Sequence, residues 1–137
     1  MLGSRTRIAV MVSGGGTNLQ ALIDAEKSGI IKSGEIVMVA SNKSDAYALK
    51  RAEENGIKAV IMTSESAILD IFREEGVELI VLAGFLKILS PEFINEYRGR
   101  IINIHPALIP SFCGDGCYGL HVHEKALAYG VKVTGAT

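Results

Sequence analysis

Asn103 and His105 stand two apart in the run INIHPALIP, residues 102–110. An apolar stretch that reads as the end of a strand leads into the run, and Pro106 and Pro110 stop it. On an extended chain alternate side chains leave the same face, so the two residues point together. An Asn amide is an uncharged hydrogen-bond donor, and a His gives or takes a proton near neutral pH. Acyl transfer needs that pairing: one group stabilises an oxyanion while the other moves the proton. Taken alone, the pair would be read as polar side chains satisfying a turn. The rest of the chain decides between the two readings.

A second set of chemistry-bearing residues lies near the start, in S13-G14-G15-G16-T17-N18. Three glycines between an apolar strand and a helix let the backbone come close to a ligand. The helix start offers unpaired N–H groups and a positive dipole end to an anion. Thr17 and Asn18 add side-chain donors. The spacing is not that of a dinucleotide loop: the third position of the pattern is Leu19, and no acid follows the second strand at Ser41-Asn42-Lys43. Nor is there a nucleoside-triphosphate loop, so a phosphate monoester fits better. The competing reading is a glycine turn with Thr17 as helix cap. If the functional reading holds, a side chain at Gly16 should block the phosphate and spare any other ligand.

A third set follows the fourth strand. Phe85, Leu86, Ile88 and Leu89 leave Gly84 as apolar residues able to line a slot for a flat heterocycle, with Lys87 free to reach an anionic tail or water. Ordinary packing is the alternative.

Composition narrows the classes. The chain has 137 residues, which suits one domain, and 48% of them are hydrophobic, enough for a substantial core. A net charge of -1 gives no electrostatic footprint for nucleic acid or a membrane surface. Without a signal pattern or a long apolar run, a cytoplasmic location is the expectation. Cys113, Cys117, His121 and His123 share one region, but C-x3-C-x3-H-x-H is no standard ligand spacing. The reading is free thiols and no metal.

The elements that must position these residues alternate along the chain. Strands are expected at 7–12, 35–40, 57–61, 78–83 and 99–104, with a further strand starting near 131. Helices are expected at 17–28, at 45–55 with Asp45 as cap, at 64–75, at 91–97 and at 123–129. Near-continuous apolar strands alternating with helices imply an α/β fold: a doubly wound, Rossmann-like, mainly parallel sheet of order 3-2-1-4-5. Its switch point falls between strands 1 and 4, with ligands at the carboxyl ends. The loop after strand 1, the loop after strand 4 and the end of strand 5 then meet in one crevice, which favours the functional reading of Asn103 and His105.

In combination, SGGGTNLQ (13–20), SNK (41–43), LAGFLKILSP (82–91), INIHPALIPSF (102–112) and GLHVHEKAL (119–127) resemble the folate-dependent formyltransferases. The first loop is most similar to the glycinamide ribonucleotide branch. The resemblance implies transfer of a formyl group from 10-formyltetrahydrofolate to the amine of glycinamide ribonucleotide, in purine biosynthesis and without a metal. It implies that Gly15, Gly16, Thr17 and Asn18 hold the substrate phosphate. It further implies that Leu86, Lys87, Ile88, Leu89 and Asn103 contact the reduced folate, and that Asn103 and His105 are the catalytic pair. The family pattern carries a further catalytic Asp beyond Thr137. Residues 1–137 are therefore read as a single, C-terminally truncated N-terminal domain whose own activity is open. The alternatives are a ligand-binding but inactive fragment and a formyltetrahydrofolate hydrolase. Beyond small molecules, the one partner retained is a second copy, since a strand at 131–137 would expose an edge for pairing as a homodimer.

Overall fold

The computed structural model describes residues 4–104. One compact unit runs through Ile102 and a second begins at Asn103; of the second, Asn103 and Ile104 are described. Five strands alternate with four helices across the described residues: β1 (Thr6–Val12), α1 (Thr17–Lys27), β2 (Gly34–Ser41), α2 (Tyr47–Glu54), β3 (Lys58–Ile61), α3 (Glu65–Glu74), β4 (Leu79–Leu82), α4 (Pro91–Glu96) and β5 (Ile101–Asn103). The sheet order is β3-β2-β1-β4-β5, as the alternation predicts. β1 pairs in parallel with β2 and with β4, and β2 in parallel with β3. The helix at 123–129 and the strand near 131 lie outside the described residues.

β1 is central and its last five residues are all buried, because helices cover both faces of the sheet. Side-chain alternation divides its residues between two cores. Ala9 and Met11 join Met38, Ala40, Ile68, Phe72, Ile80 and Phe93 beneath α3 and α4. Ile8, Val10 and Val12 leave the opposite face, where α1 and α2 lie against β2 and carry Leu19, Ile23, Ala48, Leu49 and Ala52 inward. On the first side Phe72 meets the edge of Tyr97, with ring centroids 6.2 Å apart, and the Tyr97 hydroxyl donates to the Val77 carbonyl at 3.1 Å. That bond removes the one polar atom the buried ring would otherwise strand.

The helix starts show where local sequence decides and where it does not. Ser64 caps α3 by accepting the Ala67 N–H at 3.1 Å, and Ser90 caps α4 by accepting the Phe93 N–H at 3.2 Å, ahead of Pro91. Asp45 does not cap α2. The helix begins later, at Tyr47, and Ala46 occupies the cap position without a side-chain bond. The reason is tertiary: the Ala48 N–H donates to the Gly14 carbonyl at 3.1 Å, so the first loop supplies the acceptor that Asp45 was expected to provide. Thr17 is likewise the first residue of α1 rather than its cap. Gly16 holds that place in a left-handed conformation, φ 79°.

Gly16 packs directly on α2. A Cβ there would stand 2.6 Å from the Ala48 Cβ and 2.9 Å from its Cα, whereas none built at Gly14 or Gly15 meets anything within 4 Å among the described residues. This corrects the expectation that a side chain at Gly16 would block a ligand alone; it would first drive α1 from α2. Gly16→Ala should therefore lower stability by about 2–4 kcal/mol through backbone strain and overpacking. Gly15→Ala should stay within about 0.5 kcal/mol, as for an open surface position. Urea titrations of the two variants check the contrast.

Candidate functional site

Val12 hands the chain from the sheet to the first loop, and the next residue, Ser13, is 3% exposed. Among the described residues, Ser13 and Ser41 are the two buried polar ones, and both stand at carboxyl ends of neighbouring strands. A hydroxyl buried there needs partners. Ser13 Oγ donates to Asn42 Oδ1 at 2.7 Å and accepts the Leu86 N–H at 2.9 Å. Its backbone N–H donates to the Gly84 carbonyl at 3.1 Å. One residue thus ties the loops after β1, β2 and β4 together at the switch point of the sheet.

The glycine loop is held from behind. The Gly14 carbonyl accepts from Ala48 N–H, and the Gly15 carbonyl accepts from Arg51 Nε at 2.7 Å. In a trans peptide the carbonyl and the following N–H point opposite ways. The N–H groups of Gly15 and Gly16 therefore face away from α2, and they meet no backbone acceptor among the described residues. The N–H groups of Thr17 and Asn18 at the open first turn of α1 adjoin them; the Gln20 N–H makes the first helical bond, to Gly16. Neither α1 nor α2 carries an acid in its first turn, so the positive dipole end is uncompensated. Thr17 and Asn18 are exposed. The result is a cluster of outward N–H donors with two polar side chains, suited to an oxyanion such as phosphate.

The loop after β4 is pinned at both ends. Ser13 takes the Leu86 N–H; at the other end the Glu65 carboxylate accepts the Ser90 N–H at 2.9 Å and the Ser90 hydroxyl. Between the pins Leu86 is 52% exposed and Ile88 89% exposed, apolar side chains held out on a fixed backbone, with Lys87 exposed between them. Leu89 differs from the slot expectation: it is buried in the core cluster that also holds Phe93, so it supports the loop from below. Phe85 packs partly against that same core.

Asn103 is the last residue of β5 and is exposed. His105 lies outside the described residues, and so does any meeting of the pair. The same holds for Cys113, Cys117, His121 and His123; among the described residues no group of three His, Cys, Asp or Glu is placed to hold a metal ion. No described helix is long and apolar enough to cross a membrane.

The sequence reading passed over Ser13 as a linchpin, and Arg51 and Glu65 altogether. Ser13 and Asn42 could have been suspected, since each is a small polar residue directly after a buried strand. Arg51 carried a weaker signal: it stands four residues after Tyr47, and its guanidinium lies 4.9 Å from that ring's centroid. Glu65 gave none, because its partner Ser90 is distant in sequence.

Residues 6–137 match the formyl transferase family, and the chain belongs to it. It is 41% identical over 140 residues to the phosphoribosylglycinamide formyltransferase of Haemophilus influenzae, an alignment covering 96% of this chain and 63% of that protein. Identity is 36% over 143 residues with the chloroplastic phosphoribosylglycinamide formyltransferase of Arabidopsis thaliana, covering 97% of this chain and 49% of the relative. The crystal structure of the phosphoribosylglycinamide formyltransferase from Brucella melitensis shares the fold with a TM-score of 0.87 at 40% identity, over 98% of this chain and 71% of that one. The chain thus spans roughly half to two-thirds of the length of these curated relatives.

The pin at Glu65 carries a pH dependence. The Ser90 hydroxyl, then the Ser90 N–H, hold the Glu65 carboxyl below its ordinary range; burial opposes them, and the charge of Lys87 adds a smaller pull downward. A carboxyl depressed in the folded state stabilises above the ordinary carboxylate range and loses that contribution as pH falls through its folded value. Glu65→Gln should cost about 1 kcal/mol near neutrality, discounted for solvent screening. The gap between wild type and variant should close as pH drops below the carboxylate range, read from urea midpoints across pH. A gap independent of pH would show that the charge does not hold the loop.

Proposed function

We propose that this protein transfers a formyl group from 10-formyltetrahydrofolate to the amine of glycinamide ribonucleotide, a step of purine biosynthesis, acting in the cytoplasm on small molecules without nucleic acid, membrane or metal. The observation that carries the reading is the joining of two dissimilar surfaces through Ser13 Oγ: the outward N–H groups of the glycine loop and the exposed apolar loop at Leu86. The first suits a phosphate monoester. The second suits a flat heterocycle, since Leu86 and Ile88 stand exposed there. Family membership and the names of the relatives support formyl transfer to phosphoribosylglycinamide.

In this reading Gly15, Gly16, Thr17 and Asn18 hold the phosphate and fix the ribonucleotide. Leu86, Lys87 and Ile88 flank the reduced folate, with Leu89 supporting them. The substrate amine attacks the formyl carbon, and the new C–N bond leaves negative charge on the formyl oxygen. Asn103 donates to that oxygen. His105, protonated, stabilises the charge and gives its proton to the folate nitrogen as the old C–N bond breaks; the neutral imidazole then takes the proton that the former substrate amine sheds. Formyl transfer is balanced by these groups with no external oxidant or reductant. Hydrolysis of the formyl folate is the less supported alternative, since the relatives above carry the transferase name. Among protein partners, a second copy of the chain is retained as a proposal.

The test is the protein as its gene encodes it, supplied with 10-formyltetrahydrofolate with and without glycinamide ribonucleotide. Transfer that depends on the ribonucleotide is expected; formate release without an acceptor would favour hydrolysis instead. Asn103→Ala and His105→Ala should each lower kcat by about a hundredfold or more while KM changes little, because both act mainly in the transition state. His105→Ala should also alter the pH profile. Near-normal turnover in either variant removes that residue from the mechanism.

A further inference from the structure

Arg51 touches none of the residues proposed to contact the ribonucleotide through a side chain, yet it grips the loop they stand on. Its Nε donates to the Gly15 carbonyl at 2.7 Å, its Nη1 lies 3.5 Å from Gln20 Oε1 on α1, and its guanidinium lies over the Tyr47 ring. The stem is close enough that a Cβ on Gly16 would stand 3.3 Å from Arg51 Cδ. The guanidinium is thus fixed from α1, from α2 and from the loop.

The peptide it holds, between Gly15 and Gly16, is one that needs holding. Glycines flank it on both sides, and they allow a peptide to turn over at little steric cost. Its carbonyl now points at Arg51 and its N–H away from α2. Turned over, it would offer a carbonyl oxygen where an anion is to sit and repel it. A charged donor on the carbonyl also polarises the N–H on the far side, strengthening what that N–H can offer.

We propose that Arg51 is a positioning residue for the substrate phosphate: it locks the Gly15–Gly16 peptide with the Gly16 N–H outward, beside the Gly15 N–H that the Gly14–Ala48 bond directs, and does not itself bind the anion. The inference rests on the function proposed above for the glycine loop, and it adds a residue to which no ligand contact is assigned. Pre-setting the loop spares the ligand the work of ordering it.

Arg51→Met keeps the apolar stem and the helix propensity while removing the donors; Arg51→Lys restores one. In the unliganded protein the Gly15 and Gly16 amide resonances should shift in Arg51→Met and return towards the wild-type positions in Arg51→Lys. Arg51→Met should raise the Kd and KM for glycinamide ribonucleotide by about tenfold, the value of one charged hydrogen bond, with Arg51→Lys recovering most of it. kcat and the KM for 10-formyltetrahydrofolate should stay within about twofold, since neither is set by the phosphate loop. Unshifted amides, unchanged ribonucleotide affinity or an equal loss of both ligands would each overturn the proposal. Failure of the functional reading shows elsewhere, as a wild-type protein that binds no ribonucleotide; the amide comparison then still decides whether Arg51 holds the peptide.

Discussion

The buried hydroxyl of Ser13 is the contact on which the carboxyl end of this sheet depends. A hydroxyl has one proton to give and lone pairs to receive, and here both capacities are used within protein, by Asn42 and by the Leu86 N–H. Burial makes the arrangement demanding, because a missing partner would leave a polar atom without water to replace it. The same residue continues the pairing of β1 with β4 into the loops, through its N–H on Gly84. Two loops of opposite character therefore leave the sheet from a common fixed point: a polar loop of glycines and an apolar loop of leucine and isoleucine.

Around that point the work is divided. Gly16 is a glycine because α2 lies against it, and Gly14 and Gly15 are open on the other side. The carbonyls of the loop satisfy α2, through Ala48 and Arg51, which frees its N–H groups from the protein. A helix start and a glycine loop thus solve each other's hydrogen-bond deficit: the loop supplies the acceptor that the α2 terminus lacks, and α2 sets the direction in which the loop presents its donors. The loop after β4 is secured by different means. Glu65 holds its far end through Ser90, and Leu89 and Phe85 pack into the core, so the exposed Leu86 and Ile88 stand on a backbone with little freedom.

Alternation of buried strands with amphipathic helices is a local property, written in spacing, and from it the parallel sheet and its order could be read. Ser64 and Ser90 cap the helices that follow them for the same reason, since cap and helix are a few residues apart. The glycine loop and the apolar loop were visible as unusual runs at strand ends, and the order of the strands brought them together. Asn103 was legible as a strand-end residue.

Other features depended on residues far apart in the chain. Asp45 had the right chemistry for a cap and is not one, because Gly14, reached only through the fold, fills the role. Leu89 looked like its neighbours Leu86 and Ile88, and only its burial in the core that also holds Phe93 separates it from them. The contacts of Ser13 with Leu86, Arg51 with Gly15 and Glu65 with Ser90 join residues 73, 36 and 25 positions apart. Sequence by itself determined which residue types were on hand at the end of each strand, because periodicity and capping act over a turn or two. The tertiary structure alone decided which of them are bound up in holding loops and which are left to face a ligand, because hydrogen bonding and burial are settled between elements.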